Sequence, residues 1–307
     1  MVILVTGANG FIGQHLVQRL LLQGHEVIAT GLGNCRVPWS SNEKLSYVTA
    51  DIREADDVRQ LFSRFSSIQA VIHAAALSQV DYCEEHPQEA VAVNVRGTQH
   101  VMDQAQKKGA YFVLLSTDFV FDGHAGNYSE DDQRLPLNHY GVTKVQAEDL
   151  VLQSGLRCSV VRTCLVYGTA LSGTRPTIVS WVKENLEAGK SIQVVSDQLR
   201  TPTYVEDLVG GLISLAEQQE PGIFHLAGEE QLTPYTMAIA TADFLGFADS
   251  GIKKVDASSF RQAAQRPLIT GLNVAKAKDR LRYRTTSFRE AIRLMNPQTQ
   301  PKKETGG

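Results

Sequence analysis

The sequence predicts an α/β fold, a doubly wound parallel sheet carrying a smaller C-terminal lobe. Three observations predict it. The chain opens on an apolar run, a glycine-rich turn and a helical pattern. Strand and helix patterns then alternate to about residue 168 without internal repeats. Beyond that point the pattern loosens, and Pro176, Pro202, Pro221 and Pro234 punctuate shorter segments. Regular βαβ alternation implies parallel strands with right-handed crossovers, and such sheets bind ligands at the carboxyl ends of their strands.

Residues 2–5 form an unbroken, mostly β-branched run, the composition of a strand buried on both faces. From Phe11 onward the apolar residues Ile12, Leu16, Val17 and Leu20 fall at a helical period. Gly7, Gly10 and Gly13 lie between the two patterns. A strand feeding such a turn and then a helix aims backbone N–H groups and the positive end of the helix dipole at one point, where a pyrophosphate fits. Gly7 allows the tight turn, Gly10 lets the backbone approach phosphate, and Gly13 lets the helix pack closely on the strand. Asn9, Phe11 and Ile12 of the same turn join the candidate cofactor-binding set. The G-x-x-G-x-x-G spacing in TGANGFIG resembles the extended, sugar-nucleotide branch of the short-chain dehydrogenase/reductase superfamily, whose fold is Rossmann-like.

The next elements follow in order. Strands are expected over residues 25–30, 45–50, 70–73, 111–115 and 159–162, and helices over 56–65, 90–107 and 140–153. The second strand ends in Thr30-Gly-Leu-Gly-Asn-Cys-Arg36, with no Asp or Glu to hold a ribose 2′-hydroxyl. A guanidinium there suits a 2′-phosphate, so Arg36 points to NADP(H), with NAD(H) the lesser alternative. By resemblance to the superfamily, Asp51 and Ile52 reach the adenine edge, His73, Ala74 and Ala75 let backbone approach the dinucleotide, and Asn94 lies in the following helix.

The chemistry is expected where Ser116-Thr117-Asp118 ends the fifth strand and Tyr140-Gly-Val-Thr-Lys144 opens the next helix. Tyr140 and Lys144, four apart, share a helical face. An ammonium beside a phenol favours phenolate and is expected to pull the Tyr140 pKa below its usual ~10. With Thr117 meeting the same oxygen, the set suits proton donation to a ketone while a nicotinamide supplies hydride.

STDFVFDG, PLNHYGVTK and RTCLVYG together resemble the dTDP-4-dehydrorhamnose reductase family over roughly residues 1–295. The resemblance implies Thr117 as catalytic hydroxyl, Tyr140 as proton donor and Lys144 as ribose-holding lysine, with Ser116, Tyr140 and Lys144 also beside the cofactor. It implies a nucleotide-sugar substrate held near Ser78, Val80, Phe119, Phe121, Asn138 and Arg266, with Leu165 and Tyr167 adding apolar surface. Asp197-Gln198 and Thr201-Pro202-Thr203 resemble that family's second-lobe segment. Two departures leave the sugar open: Leu165 where the family often has an aromatic, and Leu77-Ser-Gln-Val-Asp81 in place of a Thr-Ala-Val-Asp-like element. A noncatalytic NADP-binding regulatory subunit, resembling that of methionine adenosyltransferase, shares STDYVFDG-like segments and stands as the alternative, as does a sugar-nucleotide epimerase. A dehydratase would want Asp-Glu after the Thr, and this chain has Asp118-Phe119.

These readings assign residues 1–168 to a dinucleotide-binding domain whose sheet can receive later segments, 169–295 mainly to a substrate lobe, and 296–307 to a disordered tail. The 43% hydrophobic share supplies a real core, and a net charge of −3 gives no footprint for nucleic acid or an anionic membrane. Cys35, Cys83, Cys158 and Cys164 show no C-x-x-C pairing, and no His spacing suggests a metal. The expectation is a soluble cytoplasmic protein, its oligomeric state open, a homodimer included.

Overall fold

Strands buried on both faces need a helical layer on each side. The computed structural model describes residues 1–38, 40–248 and 251–298, and over them the chain supplies both layers. In chain order the elements are β1 (Val2–Thr6), α1 (Phe11–Leu22), β2 (Glu26–Gly31), β3 (Leu45–Thr49), α2 (Ala55–Ser63), β4 (Ala70–His73), α3 (Val80–Glu85) and α4 (Pro87–Val91). They continue with α5 (Thr98–Lys108), β5 (Tyr111–Thr117), α6 (His139–Gln153), β6 (Cys158–Thr163), β7 (Val166–Tyr167) and α7 (Ile178–Glu187). The remainder are β8 (Ile192–Val195), β9 (Thr203–Tyr204), α8 (Val205–Gln218), β10 (Gly222–His225), α9 (Pro234–Leu245), β11 (Ile252–Val255), α10 (Ala275–Leu281) and α11 (Phe288–Met295).

The central sheet has seven strands in the order β10-β6-β5-β4-β1-β2-β3, every neighbouring pair parallel. The expected doubly wound α/β architecture is present. Leu16 and Leu20 of α1 and Leu208 and Leu212 of α8 join the core on one face. Val58, Leu61 and Phe62 of α2, Val101 of α5 and Val151 of α6 fill the other. Each such fully buried aliphatic or aromatic side chain contributes about 1.5–3 kcal/mol. Strand order reverses at β1 and β4, so a crevice opens above their C-terminal ends.

The strands and helices expected up to residue 162 recur within about three residues, and the differences that bear on the site are these. The helix expected over 90–107 is broken by a π-helical turn, Ala92–Gly97, between α4 and α5. The seventh strand, β10, comes from beyond residue 168 and pairs with β6, as Phe224 with Val161. Helix α3 has no counterpart in the sequence reading. A smaller lobe forms around α7, α9 and the parallel pair β8–β11, packed through Val182, Ile192, Val194, Ala238, Ala242 and Ile252. From residue 299 the expected tail lies outside the described residues. Among the described residues all four cysteines are free, and no helix is long and apolar enough to cross a membrane.

Candidate active site

Helix α1 starts on Gly10, in extended conformation, with no side chain capping its first N–H groups and no acid in its first turn. Those donors are left for an anion. Gly7 sits at φ +68°, and a Cβ there would lie 2.7 Å from Ala75 N. A Cβ on Gly13 would lie 2.2 Å from Gly7 O, so helix and turn touch backbone to backbone.

A chain of hydrogen bonds runs beneath this turn. Ala75 N donates to Thr6 Oγ1 at 3.2 Å, and Thr6 Oγ1 lies 2.7 Å from His73 Nδ1. His73 Nε2 lies 3.0 Å from Thr98 Oγ1, whose proton goes to Asn94 O at 2.7 Å. Since Thr98 spends its proton on Asn94, it must accept from His73, which places the ring proton on Nε2. Burial pushes the His73 pKa down to about 3, so the ring is neutral. The His73 side chain, 1% exposed, thus serves as an interior support beneath the turn. Asn94 is also buried: it holds Leu77 N and Leu77 O and donates to Thr143 Oγ1 at 3.0 Å. It thereby ties the π-helical turn to α6, at the kind of helix defect often found at functional sites.

On one side of the turn lies a cavity of about 370 Å³, walled by Gly7, Asn9, Gly10, Gly31, Arg36, Asp51, Ile52, Ala74 and Ala75. Asn9 shapes it, donating to Leu32 O and Asn34 O and accepting from Arg36 N at 2.8 Å. Arg36 is exposed and donates to Gly173 O at 3.2 Å. A side chain at Gly31 would meet nothing closer than 3.5 Å, so the missing acid leaves free volume there. Thr30 Oγ1, at this wall, is buried without a hydrogen-bond partner among the described residues. Arg53, which the sequence reading passed over, also lines the cavity. Its bonds to Asp51, 2.6 Å at the shortest, hold that carboxyl below the usual range. Its signal was its place two residues after Asp51. Uncapped N–H groups, the unpartnered hydroxyl and cationic walls fit a dinucleotide.

The turn's other side opens into a cleft of about 520 Å³, lined by Phe11, Ile12, Gly13, Ser78, Val80, Ser116, Thr117, Phe119, Tyr140, Lys144, Leu165 and Arg266. Thus Thr117 from β5 and Tyr140 and Lys144 from α6 face one space. Thr117 Oγ1 donates to Asp118 Oδ1 at 3.1 Å and accepts from Phe119 N at 3.2 Å. The Tyr140 ring meets Phe119 edge-on, centroids 6.1 Å apart. Lys144 is buried, its Nζ donating to Leu115 O at 2.7 Å. Burial brings its pKa down to about 8 against an opposing pull from Glu148.

The expected lowering of the Tyr140 pKa is overturned. Burial pushes the phenol up, Asp118 adds to the rise, and Thr117 opposes it. Desolvating a phenolate costs more than its neighbours return, so Tyr140 is a neutral acid at working pH. Three other expectations are corrected. Phe121 is fully buried, stacked on Tyr128 at 4.2 Å, and forms no wall of the cleft. Tyr167, 1% exposed, lies in the core. Asn138 is buried and caps α6 through Gly141 N at 2.9 Å while donating to Gln265 O, so it positions α6 from behind. Leu165, 40% exposed, sits in the left-handed region at φ 37°, a strained placement that holds an apolar side chain at the cleft. Arg200, which the sequence reading also missed, lines the cleft from between Asp197-Gln198 and Thr201-Pro202-Thr203.

The family model described as the RmlD substrate binding domain matches residues 1–300. The dTDP-4-dehydrorhamnose reductase of Mycolicibacterium smegmatis is 30% identical over 293 residues, 94% of this chain and 83% of that protein. Methionine adenosyltransferase 2 subunit beta of Mus musculus is 28% identical over 296 residues, 95% of this chain and 86% of that protein. The crystal structure of dTDP-4-dehydrorhamnose reductase from Bacillus anthracis, in complex with NADP, superposes with a TM-score of 0.85 at 24% identity, covering 97% of this chain and 99% of that one.

Proposed function

Since the chain belongs to the dTDP-4-dehydrorhamnose reductase family of extended short-chain dehydrogenases/reductases, we propose that it reduces a nucleotide-linked 4-keto-deoxy sugar with NADPH, Tyr140 giving the proton. The observation that carries this reading is the convergence of Thr117, Tyr140 and Lys144 on the cleft that the glycine turn opens into. NADPH, when bound, supplies the hydride. Gly7, Gly10 and the α1 N–H groups hold its pyrophosphate, and Arg36 with Arg53 takes the 2′-phosphate. Lys144 holds the ribose, Tyr140 protonates the keto oxygen, and Thr117 shares that oxygen's hydrogen bonding. Phe119 and Leu165 keep the sugar's apolar face out of water, and Arg266 meets the diphosphate.

A screen of the purified protein against dTDP- and other nucleotide-linked 4-keto sugars, following NADPH absorbance, tests this. NADPH consumption with one of them is expected. No turnover and no nucleotide-sugar binding, alongside stable capture of an adenosyltransferase, sinks it in favour of the regulatory reading, which the relative in Mus musculus keeps in view.

Two further results are expected. Gly31→Asp places a carboxylate in the free volume where a 2′-phosphate would sit. It should cut NADPH affinity about tenfold or more, the worth of ~1.4 kcal/mol, and spare NADH. Titration of both cofactors checks it, and an unchanged ratio would show that the phosphate lies elsewhere.

The second concerns pH. Lys144 carries its charge below about pH 8 and loses it above. NADPH binding should therefore weaken as pH rises through 8, by up to about tenfold per pH unit. Lys144→Met should bind weakly at every pH and show no such slope; calorimetry from pH 6.5 to 9.5 reads both.

A further inference from the structure

Arg266, from the C-terminal segment, lines the cleft and is bonded directly to Asp81 of α3. Arg266 Nη1 donates to Asp81 Oδ1 at 3.0 Å and Nη2 to Asp81 Oδ2 at 2.5 Å. Nη1 spends its second proton on Ala264 O at 3.2 Å. Asp81 Oδ1 also accepts from Ala264 N at 3.1 Å, pinning the whole 264–266 turn to α3. These bonds hold the Asp81 carboxyl below the usual range.

A guanidinium has five N–H donors in a fixed plane. Asp81 occupies the end-on edge formed by Nη1 and Nη2. The side-on edge, Nε–H and the second Nη2–H, has no partner among the described residues, and Arg266 keeps 20% of its side-chain surface exposed at the cleft. Two parallel donors at that edge match two oxygens of one phosphate. A free arginine at a cleft mouth would lose rotamer freedom on binding; one already clamped loses little.

We propose that Asp81 is a positioning residue that clamps Arg266 by its end-on edge and turns its side-on edge to the diphosphate of the substrate. This rests on the nucleotide-sugar reading above. Asp81 does not compete with the substrate for Arg266, because the two take different edges of one guanidinium.

The experiment is calorimetry with dTDP as the probe, in the presence of saturating NADPH, on wild type, Asp81→Asn, Asp81→Glu, Arg266→Ala and the Asp81→Asn/Arg266→Ala double variant. Asp81 is partly exposed, and melting temperature and NADPH affinity show whether each variant is folded. Asp81→Asn should weaken dTDP binding about 10- to 50-fold with NADPH binding unchanged, and Asp81→Glu should restore part of the loss. The double variant should bind no worse than Arg266→Ala, since Asp81 acts through Arg266. With a turned-over sugar, KM should rise while kcat stays within threefold. Unchanged or tighter dTDP binding by Asp81→Asn, or losses that multiply in the double variant, would overturn the inference and leave the reductase reading intact. A folded wild type that binds no nucleoside diphosphate would overturn both. If Asp81→Asn does not fold, Asp81→Ser answers the same question.

Discussion

Tyr140→Phe is expected to lower turnover by roughly 10²–10⁴-fold, the usual worth of general acid catalysis, while NADPH affinity stays within about twofold. That loss corresponds to ~2.7–5.4 kcal/mol of transition-state stabilisation. The substitution keeps the ring, so its edge contact with Phe119 survives and only the hydroxyl beside Thr117 is lost. Lys144 stays buried with its bond to Leu115 O, which is why cofactor binding should persist. Because burial raises the phenol, wild-type reduction should show no alkaline loss from Tyr140 itself; any limb near pH 8 belongs to Lys144. Steady-state rates on a proven 4-keto substrate, with cofactor titration in parallel, decide the matter. A Tyr140→Phe enzyme with full activity would place the proton on another group.

Arg162→Met is expected to be the most damaging single change to stability, costing about 3–5 kcal/mol. Arg162 is 1% exposed and Glu148 fully buried. Arg162 donates from Nε to Glu148 Oε1 at 3.1 Å and from Nη2 to Oε2 at 2.8 Å. It also donates from Nη1 to Glu130 O and lies over the Phe121 ring at 5.2 Å. Without it, Glu148 keeps Arg134, at 3.1 Å, and Ser116 Oγ, at 2.5 Å, among the described residues. A buried carboxylate losing two charge-assisted bonds is the reason for the size of the effect. The melting temperature should fall on the order of 10 °C. Glu148→Gln in the same background should recover part of the loss by removing the unpaired charge. A single Arg162→Met variant that melts within a degree or two of wild type would show that Arg134 carries the cluster alone. Because Ser116 is both a wall of the cleft and a donor to Glu148, the damage should reach NADPH binding as well.

Local pattern determined the frame of this protein. The β-branched apolar run before Gly7 reads as a buried strand, and the spacing of Gly7, Gly10 and Gly13 is that of a turn so tight that a Cβ on Gly13 would lie 2.2 Å from Gly7 O. Tyr140 and Lys144 share a helical face whatever surrounds them. Position 31 lacks an acid in any fold. These features depend on neighbours within a few residues, so the sequence alone decided them.

What depended on distant partners was decided only by the tertiary structure. Phe119 and Phe121, two apart, would share a face if β5 simply continued. Instead a 3₁₀ turn over Asp118–Val120 sends Phe119 to the cleft and Phe121 into the core against Tyr128. His73 and Asn94 carry ligand-binding chemistry, yet their partners Thr6, Thr98, Leu77 and Thr143 come from separate elements and consume their donors and acceptors. Arg266 lies 185 residues from Asp81, and no spacing rule connects them. The Tyr140 phenol is the sharpest case. Sequence shows the charge four residues away but not the burial, and in the folded protein burial raises the phenol while only the Thr117 hydroxyl opposes it.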